Sequence, residues 1–170
     1  MRPRQVQVAH NGSFMHLRWQ MAGLSAGWLR EAEVPIPSNG WGLAGTMDGI
    51  LSTFEGLELK SCNAHAFSSV KTFGMKPEHD FQVHTYMLAS GIDTFSVIYE
   101  NKDTQDWIEI VRNRDEAMID KVQQTAAHLW RESNQQHLMP MLSKCEMHEG
   151  WQFDWCSKRE ACMGMKKWDQ

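Results

Sequence analysis

Residues 45–61 read GTMDGILSTFEGLELKS. Asp48 stands in an apolar run, ten residues before Glu58, and Lys60 follows Glu58 by two. The connection STFEGL contains Gly56 and has the composition of a short hairpin turn, so 41–52 and 57–63 are predicted strands. Alternate residues of a strand share a face. Leu57 and Leu59 are then free to bury, while Glu58 and Lys60 point together the other way. The hairpin sets Asp48 across from Glu58 or Lys60. Two carboxylates side by side repel, and burying them unpaired is costly. A divalent cation resolves this, since carboxylate oxygens suit Mg²⁺ or Mn²⁺, which also keep waters for chemistry. A lysine beside them can orient a metal-bound water or stabilise charge developing on a phosphoryl group. The competing reading is a surface salt bridge, because Asp followed by Glu-x-Lys is common by chance.

The rest of the chain frames this stretch. Its 170 residues suit one domain with a sizeable core, and 42% apolar and 22% charged residues are ordinary for a globular protein. No apolar run approaches the length of a membrane span, and MRPRQVQVAHNGS has no apolar signal core, so a cytoplasmic protein with no membrane partner is expected. A net charge of −4 gives no global electrostatic case for nucleic acid. Residues 1–30, however, carry Arg2, Arg4, Arg18 and Arg30 and no acid, which is a local surface able to meet phosphate.

Residues 12–30 have Phe14, Leu17, Trp19, Met21 and Leu24 near helical spacing and read as a helix weakened by Gly23 and ended near Gly27. Residues 33–37 form a short edge strand, and 64–77 read as a polar loop. PEHDFQVHTYMLAS has Pro77 at its first position and Gly91 beyond its end, which predicts a helix. TFSVIYE and WIEIVR, joined by NKDTQD, predict a second hairpin, and a helix runs from Asp115 to about Gln135. The fold class is α/β (α+β), a mixed central sheet flanked by helices, with a core over 1–140 and a Cys/Trp-rich tail over 141–170.

GTMDGIL and LELKS, followed by HDFQVHTYMLASG, resemble the PD-(D/E)XK nuclease superfamily, a restriction-endonuclease-like fold, and most of all its RecB-like and phage exonuclease branch. In that family an Asp on one strand precedes Glu-x-Lys on the next, matched here by Asp48, Glu58 and Lys60. Gln-x-x-x-Tyr on the following helix is matched by Gln82 and Tyr86. The branch also carries a histidine on an N-terminal helix, and His16 takes that place. VIYENKDTQDWIEI looks like the hairpin that follows. The resemblance spans roughly 12–135; each motif is weak alone, and their order and spacing together are more specific.

The resemblance implies metal-dependent hydrolysis of DNA, through an exonuclease acting in phage recombination, repair or processing. His16, Asp48, Glu58 and the Leu59 backbone carbonyl would hold Mg²⁺ or Mn²⁺. Lys60 would position the attacking water, and Gln82 and Tyr86 would support the site or touch DNA. Glu33 resembles an acidic residue that some members use near the metal, with Glu31 as its competitor. A structure-specific or nicking endonuclease of the same fold and a non-catalytic DNA- or protein-binding module are the alternatives. Oligomeric state and a single-strand-annealing partner stay open.

His65, His79 and His84 read as surface or scaffold residues. Some RecB-like nucleases hold an iron–sulfur cluster on three C-terminal cysteines, two of them spaced as Cys156 and Cys162 are. Phe153 stands where the third is expected, and the N-terminal fourth is missing. Zn²⁺ on Cys145, His148, Cys156 and Cys162 is a second reading, and reduced thiols in aromatic packing a third.

Overall fold

The computed structural model describes residues 3–36, 40 and 42–134. Helix α1 (Pro3–Ala26) leads into strands β1 (Leu29–Ile36), β2 (Gly45–Leu51) and β3 (Gly56–Cys62). Helices α2 (Ala64–Phe73) and α3 (Pro77–Ser90) follow, then β4 (Thr94–Asn101), β5 (Trp107–Asn113) and α4 (Glu116–Asn134). The chain divides into compact units at 1–128 and 129–170; of the second, the described residues include only the last turns of α4.

The five strands lie in the order β1-β2-β3-β4-β5. β3 and β4 are parallel and all other neighbours antiparallel, so this is a mixed α/β sheet. The parallel pair needs a crossover, and α2 and α3 supply it.

β3 and β4 are central, and Gly56–Leu59 of β3 and Phe95–Asn101 of β4 are buried, as covered strands are. On one side Leu57, Leu59 and Ile98 pack with Leu29 and with Met15 of α1. On the other, Phe95, Val97 and Tyr99 pack with Phe67 and Val70 of α2, Val83 and Met87 of α3 and Ile119 of α4. Each side chain so buried contributes about 2 kcal/mol. This two-sided core is why β3 keeps its leucines towards α1 and presents Glu58 and Lys60 towards α3.

Three expectations need correction. The first helix begins at Pro3 rather than 12, while its end at Ala26 falls beside Gly27 as expected. Residues 3–11 carry no apolar period, so hydropathy gives no sign of their helix. Residues 64–73 form α2 instead of a loop. Asn63 caps it by accepting from the Ala66 amide at 2.8 Å, and only Phe67 and Val70 are buried, too few for a visible stripe. The edge strand runs over Leu29–Ile36, longer than 33–37.

α3 matches its expected bounds, with Pro77 in the first turn and Gly91 at φ 76°, the left-handed conformation that ends helices. Its fully buried His84 accepts from the Asp115 amide through Nε2 at 3.2 Å. Nδ1–H therefore donates to the Asp80 carbonyl, at 2.8 Å. Arg112 of β5 grips the Asp80 carboxylate with two bonds, at 2.7 and 3.0 Å. Helix α3 is thus fastened to β5 and to the start of α4, which fixes the face it turns towards Lys60.

Candidate active site

The β2–β3 ladder is confined to Gly49–Leu57 and Ile50–Gly56. Past Gly49 the strands part, and Asp48 fills the fork: its Oδ2 accepts from the Leu59 amide at 2.6 Å. Its Oδ1 lies 3.1 Å from His16 Nδ1 on α1. The hydrogen bond that His16 donates to Asp48, helped by the charges of Asp48, Glu58 and Glu33, raises the His16 pKa against the effect of burial.

β1 carries a bulge between Leu29 and Glu31, after which Ala32 faces Gly49 and Val34 faces Met47. That one-residue shift sets Glu33 across from Asp48. Gly49 permits the close approach, because a Cβ there would lie 2.7 Å from the Glu31 carbonyl oxygen. Glu33 itself has φ 51°, a left-handed conformation that costs a non-glycine residue about 1 kcal/mol or more. Ligand atoms of His16, Glu33 and Asp48 all lie within 4.8 Å of one another. One imidazole and two carboxylates suit a divalent cation. Glu31 instead pairs with Arg30 at 3.4 Å and is about half exposed.

Gln20 went unnoticed in the sequence. Its Nε2 donates to Glu33 Oε1 at 2.6 Å and to the Asp48 carbonyl at 2.9 Å, tying β1 and β2 to α1. It lies one turn after His16, and that i, i+4 spacing on a helix was the available signal.

Glu58 is 3% exposed. Burial raises its pKa, with the Asp48 charge acting in the same direction, and the ammonium of Lys60 opposes both. Lys60 Nζ sits 2.5 Å from Glu58 Oε1 and donates to Gln82 Oε1 at 2.8 Å. Gln82 Nε2 donates to the Tyr86 hydroxyl at 2.9 Å, and the Tyr86 ring stacks on Phe95, 6.2 Å between centroids. Burial raises the Tyr86 pKa.

Asp48, Glu58, Lys60, Gln82, Tyr86, His16 and Glu33 therefore come to one fork of the sheet. The cation-ready triad contains Glu33, where the sequence reading favoured Glu58; Glu58 Oε1 is engaged with Lys60. His79 is half-buried on α3 and His65 is exposed. Cys62 is a free thiol. Cys145, His148, Cys156 and Cys162 lie outside the described residues. Among the described residues no helix is long and apolar enough to cross a membrane.

No family model and no curated protein matches the chain. Solved structures do. The alkaline exonuclease LHK-Exo from Laribacter hongkongensis is similar over 75% of this chain and 69% of its own, at TM-score 0.65 and 19% identity. The same exonuclease in complex with dAMP gives TM-score 0.64, 19% identity and coverage of 75% and 68%. SSO0001 is similar at TM-score 0.54 and 18% identity, over 89% of this chain and 68% of its own. At these identities the likeness shows a shared fold, a mixed α/β sheet of the kind found in an alkaline exonuclease.

Proposed function

We propose that this protein is a divalent-metal-dependent DNA nuclease of the PD-(D/E)XK type, hydrolysing phosphodiester bonds as an exonuclease. The observation that supports it most is the meeting of Asp48, Glu58 and Lys60 at the β2–β3 fork, with His16 and Glu33 within ligand distance of Asp48. The likeness to an alkaline exonuclease, one form of which is complexed with dAMP, favours DNA ends as substrate.

His16, Glu33 and Asp48 would hold Mg²⁺ or Mn²⁺, with Glu58 and the Leu59 carbonyl as the remaining donors. When bound, such a cation lowers the pKa of a water and neutralises charge on the phosphate. The chain's own residues do the rest. Lys60, held between Glu58 and Gln82, orients the attacking water and faces charge growing on the phosphoryl oxygens. Asp48 keeps its carboxylate aimed because the Leu59 amide and His16 fix both of its oxygens.

Incubation with linear and with closed circular DNA, in Mg²⁺, Mn²⁺ or EDTA, tests this reading. Metal-dependent loss of the linear form alone is expected, and Asp48→Asn should abolish it. Nicking of circles would replace exonuclease by endonuclease. Absence of cleavage in every condition, with Asp48→Asn binding Mn²⁺ as well as the wild type, would leave a non-catalytic module.

A further inference from the structure

The Lys60 side of β3 does not end at Lys60. Cys62 follows by two residues, so it shares that face, about 7 Å further along the strand. Lys102 is anchored beside it: the Lys102 amide donates to the Cys62 carbonyl at 2.9 Å. Tyr99 lies opposite Lys60 in the parallel β3–β4 ladder. Its buried phenol bonds His79 Nδ1 at 2.6 Å, and a backbone hydrogen bond from Lys76 reaches the same oxygen. The first turn of α3, with Lys76 as its cap, is thereby locked to the strand end that carries Lys60.

Charges respond to this closeness. Burial raises the Cys62 thiol pKa, while Lys76 and Lys102 both pull it down. Burial lowers the His79 pKa, and the Lys60 charge lowers it further, so its imidazole is neutral. With Nδ1 bonded to the Tyr99 hydroxyl, the His79 ring has Nε2 as its remaining polar atom. The acids nearby are Asp103, Glu78 and Glu100, and Glu100 is paired with Arg18. Asp103 accepts from the Ala64 amide at 3.1 Å, at the start of α2, and Glu78 is exposed. His79, Gln82 and Tyr86 lie at i, i+3 and i+7, one row along α3. Lys76 and His79 extend the α3 row that passes Gln82, Lys102 stands on the turn after β4, and two ammonium groups with an imidazole nitrogen match the recognition of a phosphodiester backbone.

We propose that Lys76, Lys102 and His79 form a second phosphate-binding site, beyond Lys60, that grips the substrate strand next to the bond being cut. This rests on the nuclease reading of the Asp48–Glu58–Lys60 centre. The strand then runs past the C-terminal end of β3.

The test compares wild type with Lys76→Gln/Lys102→Gln in Mg²⁺, on linear DNA at several salt concentrations and on a p-nitrophenyl ester of thymidine monophosphate. The ester fills the scissile position alone. On DNA, KM is expected to rise about tenfold with kcat unchanged, and the salt slope of kcat/KM to become shallower by about 2. On the ester the double variant should match the wild type, and exposed Lys121→Gln should change nothing. Exposed Lys102→Gln alone, expected to give half of the slope change, serves if the double variant melts early. A double variant with wild-type KM and slope, or one slowed equally on both substrates, overturns the site. A wild type that cleaves neither substrate would instead overturn the nuclease reading, and this inference with it.

Discussion

Lys60 Nζ donates to Gln82 Oε1 at 2.8 Å, and the same amide donates through Nε2 to the Tyr86 hydroxyl at 2.9 Å. An ammonium only donates, so the oxygen of Gln82 has to face Lys60 and its nitrogen has to face Tyr86. A Gln-x-x-x-Tyr pair on a helix is thus a device for aiming a lysine on a strand. Gln82→Ala removes a charge-assisted bond worth about 1.5–3 kcal/mol, so single-turnover cleavage should fall roughly 10- to 100-fold. Tyr86→Phe removes only the outer link, worth about 1 kcal/mol, and should cost a few-fold. Wild-type rates in Gln82→Ala would show that Lys60 needs no such support.

Gln20 acts on the other side of the fork. It bonds Glu33, whose backbone is held at φ 51°, and the Asp48 carbonyl. Gln20→Ala should leave both carboxylates present but loosely placed. Mn²⁺ affinity, measured by calorimetry, is expected to weaken by about 10- to 100-fold, the usual effect of removing an outer support of a metal site.

Glu58 is a buried carboxylate whose ionised form is disfavoured by burial and by Asp48. Its folded pKa lies above the unfolded value, so between the two the native state binds more protons and stability falls as pH rises. Glu58→Gln keeps the shape without the charge. The metal-free variant should melt higher than wild type at pH 7, while cleavage drops by about 100-fold or more. A lower melting midpoint would mean that the Lys60 pairing outweighs the desolvation.

His79 gives the opposite slope. Its pKa is lowered to about 4, by burial first and then by Lys60. The unfolded chain takes up the proton near pH 6.5, so between there and pH 4 it binds more protons than the native state, and stability falls as pH falls. Thermal melts from pH 7 to 4 should show this decline. His79→Gln, which has no such group to protonate, should show a flatter one.

Much of this was legible in the sequence because it is local. The alternation in LELK placed Leu57 and Leu59 towards the core and paired Glu58 with Lys60. Pro77 and Gly91 bounded α3, and with it the Gln82–Tyr86 row. The helix α2 escaped because Asn63 and two buried residues hold it, and neither makes a period.

What the chain order does not encode is which distant strands slide against each other, and by how much. The bulge after Leu29 moves β1 by one residue and decides that Glu33, and not Ala32, meets Asp48. The parting of β2 and β3 frees the Leu59 amide for Asp48. Gln20 gains a purpose only when α1 lies across both strands. The sequence by itself determined the local relations, Glu58 beside Lys60 on one strand face and Gln82 one turn before Tyr86 on α3, since those follow from spacing of two or four. Only the tertiary structure decided how they converge, because register and strand splaying are set by packing between segments far apart in the chain.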